Sequence, residues 1–204
     1  YHAEMGIVRR ISDFFQYEEV ETFSKTEIED KLDQVARETG IDYDETQRQA
    51  MILAMQSPLS VITGGPGTGK TTLIRGILTL HRLLHGYHQG DVTNPYQTGP
   101  VLLAAPTGRA AKRMQEMTDI PASTIHRLIG FNRETTVEGF DPTPLEGQLL
   151  VVDEMSMVDT WLMNWLWMAI GYRIQVILVG DKHQLPSVGP GKVFSDLIES
   201  GVIP

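Results

Sequence analysis

The chain has 204 residues, 41% of them hydrophobic and 21% charged, enough for one or two domains with a sizeable core and too apolar for wholesale disorder. It has no cysteine and a formal charge of −9, which excludes disulfides, thiolate catalysis and cysteine-based zinc sites and argues against a dedicated basic nucleic-acid-binding domain. No apolar run reaches the ~18 residues of a membrane span, and the opening YHAEMGIVRR has no basic-then-apolar signal pattern, so the expected setting is cytoplasmic with no membrane partner.

Residues 4–16 place Ile7, Ile11, Phe14 and Phe15 on one helical face. A second helix is expected over 24–39, opened by a Ser24–Glu27 capping box and ended by Gly40. A third starts at Asp44 or Thr46, runs to about Met55 and is closed by Pro58. The acidic front section, residues 1–43, reads as a helical lead-in from an upstream domain, behaving as a solvated linker. With no Met at position 1 and a closing GVIP, the sequence reads as a piece of a longer protein.

From residue 59 the pattern changes. Short apolar runs at 59–63, 101–105, 149–152 and 174–179 are each followed by small or polar residues and then a helical stretch. This alternation predicts an α/β fold, a parallel sheet with helices on both faces, binding ligands beyond the carboxyl ends of its strands. Residues 85–100 read as a loop. Residues 130–147 read either as a surface loop or as a small hairpin, with Thr135, Thr136 and Val137 before a Glu138-Gly139 turn. Charge is uneven: residues 61–130 hold seven basic and three acidic groups, while both flanks are acidic.

The strongest motif is Gly64-Gly65-Pro66-Gly67-Thr68-Gly69-Lys70-Thr71, which fits G-x-x-x-x-G-K-[ST] between an apolar strand and a helical stretch. Its glycines let backbone N–H groups wrap a polyphosphate at a helix N-terminus. Gly65 to Thr72 are the expected nucleotide-binding residues; Lys70 would neutralise the β- and γ-phosphates of ATP and Thr71 would hold Mg2+. The run Leu149–Val152 delivers Asp153 and Glu154 at its carboxyl end. Asp153 suits the magnesium through water, and Glu154 suits the role of base toward an attacking water, which points to hydrolysis rather than binding alone. Gln184, after the run ending at Val179, can reach a γ-phosphate or that water from a neighbouring strand end. Taken singly, the acid pair could be a helix cap, and the last element an ordinary strand-to-loop turn stiffened by Gly180 and Pro186.

Five blocks carry a further likeness: ITGGPGTGKTT (62–72), LAAPTGRAAKRM (103–114), ASTIHRLIGF (122–131), LLVVDEMSMVD (149–159) and ILVGDKHQLPSVGPG (177–191). In this order they resemble a superfamily 1 DNA helicase, and more closely its RecD-like branch (the RecD/TraA family), to which the exodeoxyribonuclease V alpha subunit belongs. The likeness covers roughly residues 44–200. It implies that residues 44–204 form the first RecA-like P-loop ATPase domain of a motor whose second domain has no counterpart blocks here. It implies adenine recognition by Gln47, which by itself reads as a solvated helix residue. It implies contacts to single-stranded DNA from Pro106, Thr107, Gly108 and Arg109, and from Thr124 and His126. It places a strand-separating pin near 130–143, in a short version here. It further implies ATP and Mg2+ as cofactors, 5′-to-3′ movement along single-stranded DNA, and nuclease or helicase subunits as partners. The chain alone is expected to bind nucleotide weakly and to neither hydrolyse it appreciably nor unwind DNA.

The basic stretch agrees in one respect: Arg109, Lys112, Arg113 and Arg127 lie in or beside the implied DNA blocks, as phosphate contacts require. A solvated helix face would explain the first three equally well. His126 has no second ligand near it in sequence, so zinc is not expected. Trp161 and Trp165 share a helical face and, with Trp167, read as packing or interface residues. Two other readings stand: a module docking into an exonuclease complex, and a P-loop small-molecule kinase. The kinase reading is opposed by the single arginine between Phe140 and the end of the chain, Arg173, where an arginine-rich lid is needed.

Overall fold

The computed structural model describes residues 2–88, 99–132, 134–184, 189 and 191–204. Three helices come first: α1 (His2–Tyr17), α2 (Lys25–Thr39) and α3 (Glu45–Gln56). Then follow β1 (Leu59–Thr63), α4 (Lys70–His85), β2 (Val101–Ala105), α5 (Gly108–Thr118), β3 (Ala122–Thr124), α6 (Ile125–Leu128), β4 (Leu149–Val152), α7 (Thr160–Ala169), β5 (Gln175–Gly180) and α8 (Val193–Ser200). The five strands form one parallel sheet in the order β1-β5-β4-β2-β3. The expected strands are all present, the last displaced by one residue, and β3 is an addition.

Strand alternation builds two cores, one on each face. Leu102, Ala104, Leu150, Val152, Val176 and Leu178 face a layer that includes α1, α7 and α8. Val101, Leu103, Leu149, Val151, Ile177 and Val179 face α2, α3, α4 and α5. No helix of the described residues is long and apolar enough to cross a membrane.

The front section is no solvated linker. On α2, Ile28, Leu32 and Val35 form a buried stripe against α4, and Glu38 pairs with Arg82. On α1, Phe14 packs edge-on against Trp167 of α7, ring centres 5.5 Å apart. The N-termini of α2 and α3 carry full capping boxes, Ser24 with Glu27 and Asp44 with Gln47, and Gly40 closes α2 at φ +67°. Acidic composition concealed two amphipathic helices that complete both faces of the sheet.

Of the two readings of the segment from residue 130, the described residues of 130–143 take the loop form and contain no strand, residue 133 lying outside them. Phe131 stacks on Trp165, centroids 5.2 Å apart, and Phe140 closes edge-on against both rings. Asn132 Oδ1 accepts from Glu134 N at 2.8 Å, and Thr143 N donates to Ile129 O at 2.9 Å. Both ends of the segment are thus folded onto α7 as a loop. Of the expected 85–100 loop, residues 89–98 lie outside the described residues, as do 185–188 of the last block.

Candidate functional site

The carboxyl ends of β1, β5 and β4 meet around a cavity of about 360 Å3. β1 feeds the glycine loop, tied to its neighbour by Gly64 N donating to Gly180 O at 3.3 Å. Gly67 and Gly69 sit at φ +76° and +80°, a region that side-chain-bearing residues avoid. Gly69 is the N-cap of α4 and offers no side-chain cap, so the first N–H groups of that helix lack side-chain partners at the cavity. Lys70 Nζ donates to the carbonyls of Gly64 and Gly65, folding its ammonium over the loop. These features form a cradle for a polyphosphate.

β4 brings in the acids. Asp153 N donates to Ala104 O at 3.0 Å, and its carboxylate Oδ1 accepts from Glu154 N at 2.7 Å. Glu154 holds φ +56°, one of two non-glycine residues in that region among those described; the other, Asp119, ends α5. Such a conformation costs about 1–3 kcal/mol and persists where the surroundings impose it. Burial raises the Asp153 carboxyl above its usual range, opposed by the Glu154 N–H, Lys70 and Arg113. Burial also raises Glu154, with Asp153 adding to it and Arg113 and Lys70 opposing. Asp181, 3% exposed, accepts from His183 N at 2.9 Å and adds a third acid to the cavity wall. Gln184 also lines it, its Oε1 accepting from Ser156 Oγ at 3.2 Å.

The donor set fits MgATP. Hard oxygens from Thr71, Asp153 and water are what Mg2+ takes, and it commonly uses one or two carboxylates plus phosphate oxygens rather than an all-protein cage. Among the described residues no cluster of three or more His, Cys, Asp or Glu is placed to hold a metal.

Gln47 lies beside the loop: a Cβ on Gly69 would stand 3.0 Å from its Nε2, and its Oε1 accepts from Asp44 N at 3.1 Å. The amide is thereby oriented next to the cradle. The far end of α3 is held by buried Gln175 of β5, whose Nε2 donates to Ala54 O at 2.6 Å and Ser57 O at 2.8 Å.

The residues implied in DNA contact lie at or just after the carboxyl ends of the neighbouring strands β2 and β3. Register pairs Ala105 of β2 with Thr124 of β3, bringing Thr107 and Thr124 to adjacent strand ends. Each is a helix N-cap: Thr107 Oγ1 accepts from Ala110 N, and Thr124 Oγ1 accepts from Arg127 N, both at 3.2 Å. Both hydroxyl hydrogens remain able to donate outward. Arg109 is exposed, Pro106 is half-buried, and His126 sets its ring 5.5 Å from Phe131. Lys112 pairs with Glu116 at 3.8 Å. Arg113 departs from its sequence neighbours and lines the nucleotide cavity. Asp181 and Ser156 stood inside the motif blocks without a role, and Arg113, read with the DNA blocks, lines the cavity instead.

A family model described as AAA domain matches residues 47–190. The RecBCD enzyme subunit RecD of Mycolicibacterium smegmatis is 37% identical over 183 residues, 81% of this chain and 32% of that protein. Its Haemophilus influenzae counterpart is 34% identical over 223 residues, 96% of this chain and 32% of that protein. The ATP-dependent RecD2 DNA helicase of Deinococcus radiodurans is 41% identical over 138 residues, 65% of this chain and 17% of that protein. The chain thus spans 32% of the length of the two RecD subunits it matches.

Proposed function

We infer, from the premise that this chain belongs to the AAA domain family and within it to the RecD-like helicase motors, that it is the first RecA-like motor domain of an ATP-dependent DNA helicase. In this reading the domain couples ATP hydrolysis to 5′-to-3′ movement along single-stranded DNA, in the cytoplasm, in a protein that also works beside nuclease or helicase subunits. The observation that carries it is the meeting of the glycine loop, Asp153, Glu154 and Gln184 in one cavity, with the N-caps Thr107 and Thr124 at the neighbouring strand ends.

The loop amides and Lys70 bind the β- and γ-phosphates, and Gln47 orients the base. Asp153 and the Thr71 hydroxyl are placed to hold Mg2+, which when bound neutralises charge on the β- and γ-phosphate oxygens. Glu154 orients a water in line with the γ-phosphorus and accepts its proton as the new P–O bond forms and ADP leaves. Gln184 donates its amide N–H to the γ-phosphate oxygens. Thr107, Arg109, Thr124 and His126 hold the DNA backbone without reading sequence, as a moving motor requires.

The test is ATP hydrolysis by the full-length protein with and without single-stranded DNA, using Glu154→Gln as the blank. Strong stimulation by DNA that disappears in the blank, with nucleotide binding retained, is the expected result. Hydrolysis indifferent to DNA would remove the motor reading.

A further inference from the structure

Arg113 sits one helical turn after Arg109 on α5. Its own side chain lines the nucleotide cavity together with Glu154 and Gln184. Helical side chains lean toward the N-terminus of their helix, so the guanidinium of Arg113 is carried up to the carboxyl edge of the sheet, where the cavity opens. Lys112 beside it is paired with Glu116, but Arg113 has no carboxylate at ion-pairing distance among the described residues. Lys70, Asp153, Glu154 and Arg113 line the same cavity, so both cations share it with both acids.

We propose that Arg113 is a γ-phosphate ligand supplied by this domain itself, donating guanidinium N–H groups to the terminal phosphate oxygens of ATP from the wall of the cavity it shares with Glu154 and Gln184. The assignment rests on the nucleotide-site reading above and deepens it. A guanidinium free of a carboxylate partner and facing a polyphosphate cradle is suited to forked donation to phosphate. ADP lacks the group contacted, so the bond exists only with a triphosphate bound. Arg113 shares an 11-residue helix with Arg109, and Thr107 caps that helix. Loss of the γ-phosphate therefore releases a rigid element that begins at the DNA-facing strand ends.

The experiment is equilibrium binding of fluorescent ADP and of a non-hydrolysable ATP analogue, each with Mg2+, to the full-length protein and its Arg113→Ala and Arg113→Lys variants. Arg113→Ala should lose about tenfold or more in affinity for the analogue and less than about twofold for ADP. Arg113→Lys should recover part of the loss. An equal loss for both nucleotides, or no loss for either, overturns the assignment. Lys70→Ala is measured alongside. If it leaves both affinities intact, the nucleotide-site reading itself fails. If it abolishes both while Arg113→Ala does not discriminate between nucleotides, only the Arg113 assignment fails.

Discussion

Ser156 Oγ donates to Gln184 Oε1 across 3.2 Å, joining the turn that follows Glu154 to the segment that follows β5. With the amide oxygen occupied, the Gln184 NH2 is the end left for the cavity, and a γ-phosphate accepts hydrogen bonds but donates none. Ser156→Ala should lower ATP turnover about three- to tenfold, the worth of one hydrogen bond, with KM for ATP little changed. Ser156→Thr should restore most of the rate. Steady-state ATPase assays on both variants check this; an unchanged rate in the alanine variant would release Gln184 from dependence on Ser156.

Gly76 lets α3 and the end of α2 approach α4. A Cβ there would lie 2.9 Å from Tyr43 Cζ and 3.0 Å from Met51 Sδ. Tyr43 cannot yield easily, being 4% exposed with its hydroxyl donating to Thr39 Oγ1 at 3.2 Å. Gly76→Ala gains about 1 kcal/mol in helix propensity but overpacks the contact at about 1–3 kcal/mol. The net effect should be a lower Tm. Because the displaced helix carries Gln47, preference for ATP over GTP should also fall, which competition binding will read.

Thr124 can serve as cap and DNA contact together, because its oxygen accepts from Arg127 N while the hydroxyl keeps a hydrogen to donate. Thr124→Ala should weaken single-stranded DNA binding severalfold, leave DNA-free nucleotide affinity unchanged, and be rescued by serine. Fluorescence anisotropy at fixed salt is the measurement, since phosphate contacts depend on ionic strength.

Much of this architecture was legible in the sequence where local and tertiary preferences agree. The four core strands are apolar on both faces, the glycine loop allows few backbone courses, and the Ser24–Glu27 box is sealed by side chains three residues apart. Strand β3 was hidden because Ala122-Ser123-Thr124 has no apolar pattern; its extended form comes from pairing with Leu103–Ala105. Sequence left hairpin and loop open for 130–147, because the contacts that hold the segment, Phe131 and Phe140 on Trp165, are tertiary. Arg113 was grouped with Arg109 because sequence gives the helical face but not the reach of a long side chain.

His81 offers the last prediction, on stability. It is fully buried on α4, its Nδ1 sharing a hydrogen bond with Tyr87 Oη at 2.7 Å and its Nε2 without a partner among the described residues. Burial, and secondarily the neighbouring His85, lower its proton affinity well below the ordinary 6.5. His85 is lowered as well, with Glu21, 3.4 Å from its Nδ1, opposing. The unfolded chain therefore takes up protons below about pH 6.5 that the native state refuses. The stability linked to His81 is complete above that pH and is lost as the pH falls toward its lowered native value, by up to about 1.4 kcal/mol per pH unit for one proton. Tm should drop between about pH 7.5 and about pH 5.5. His81→Leu strands the Tyr87 hydroxyl and lowers Tm at both values, but it should shrink the difference between them. A difference as large as that of the unaltered protein would assign the acid sensitivity to other groups.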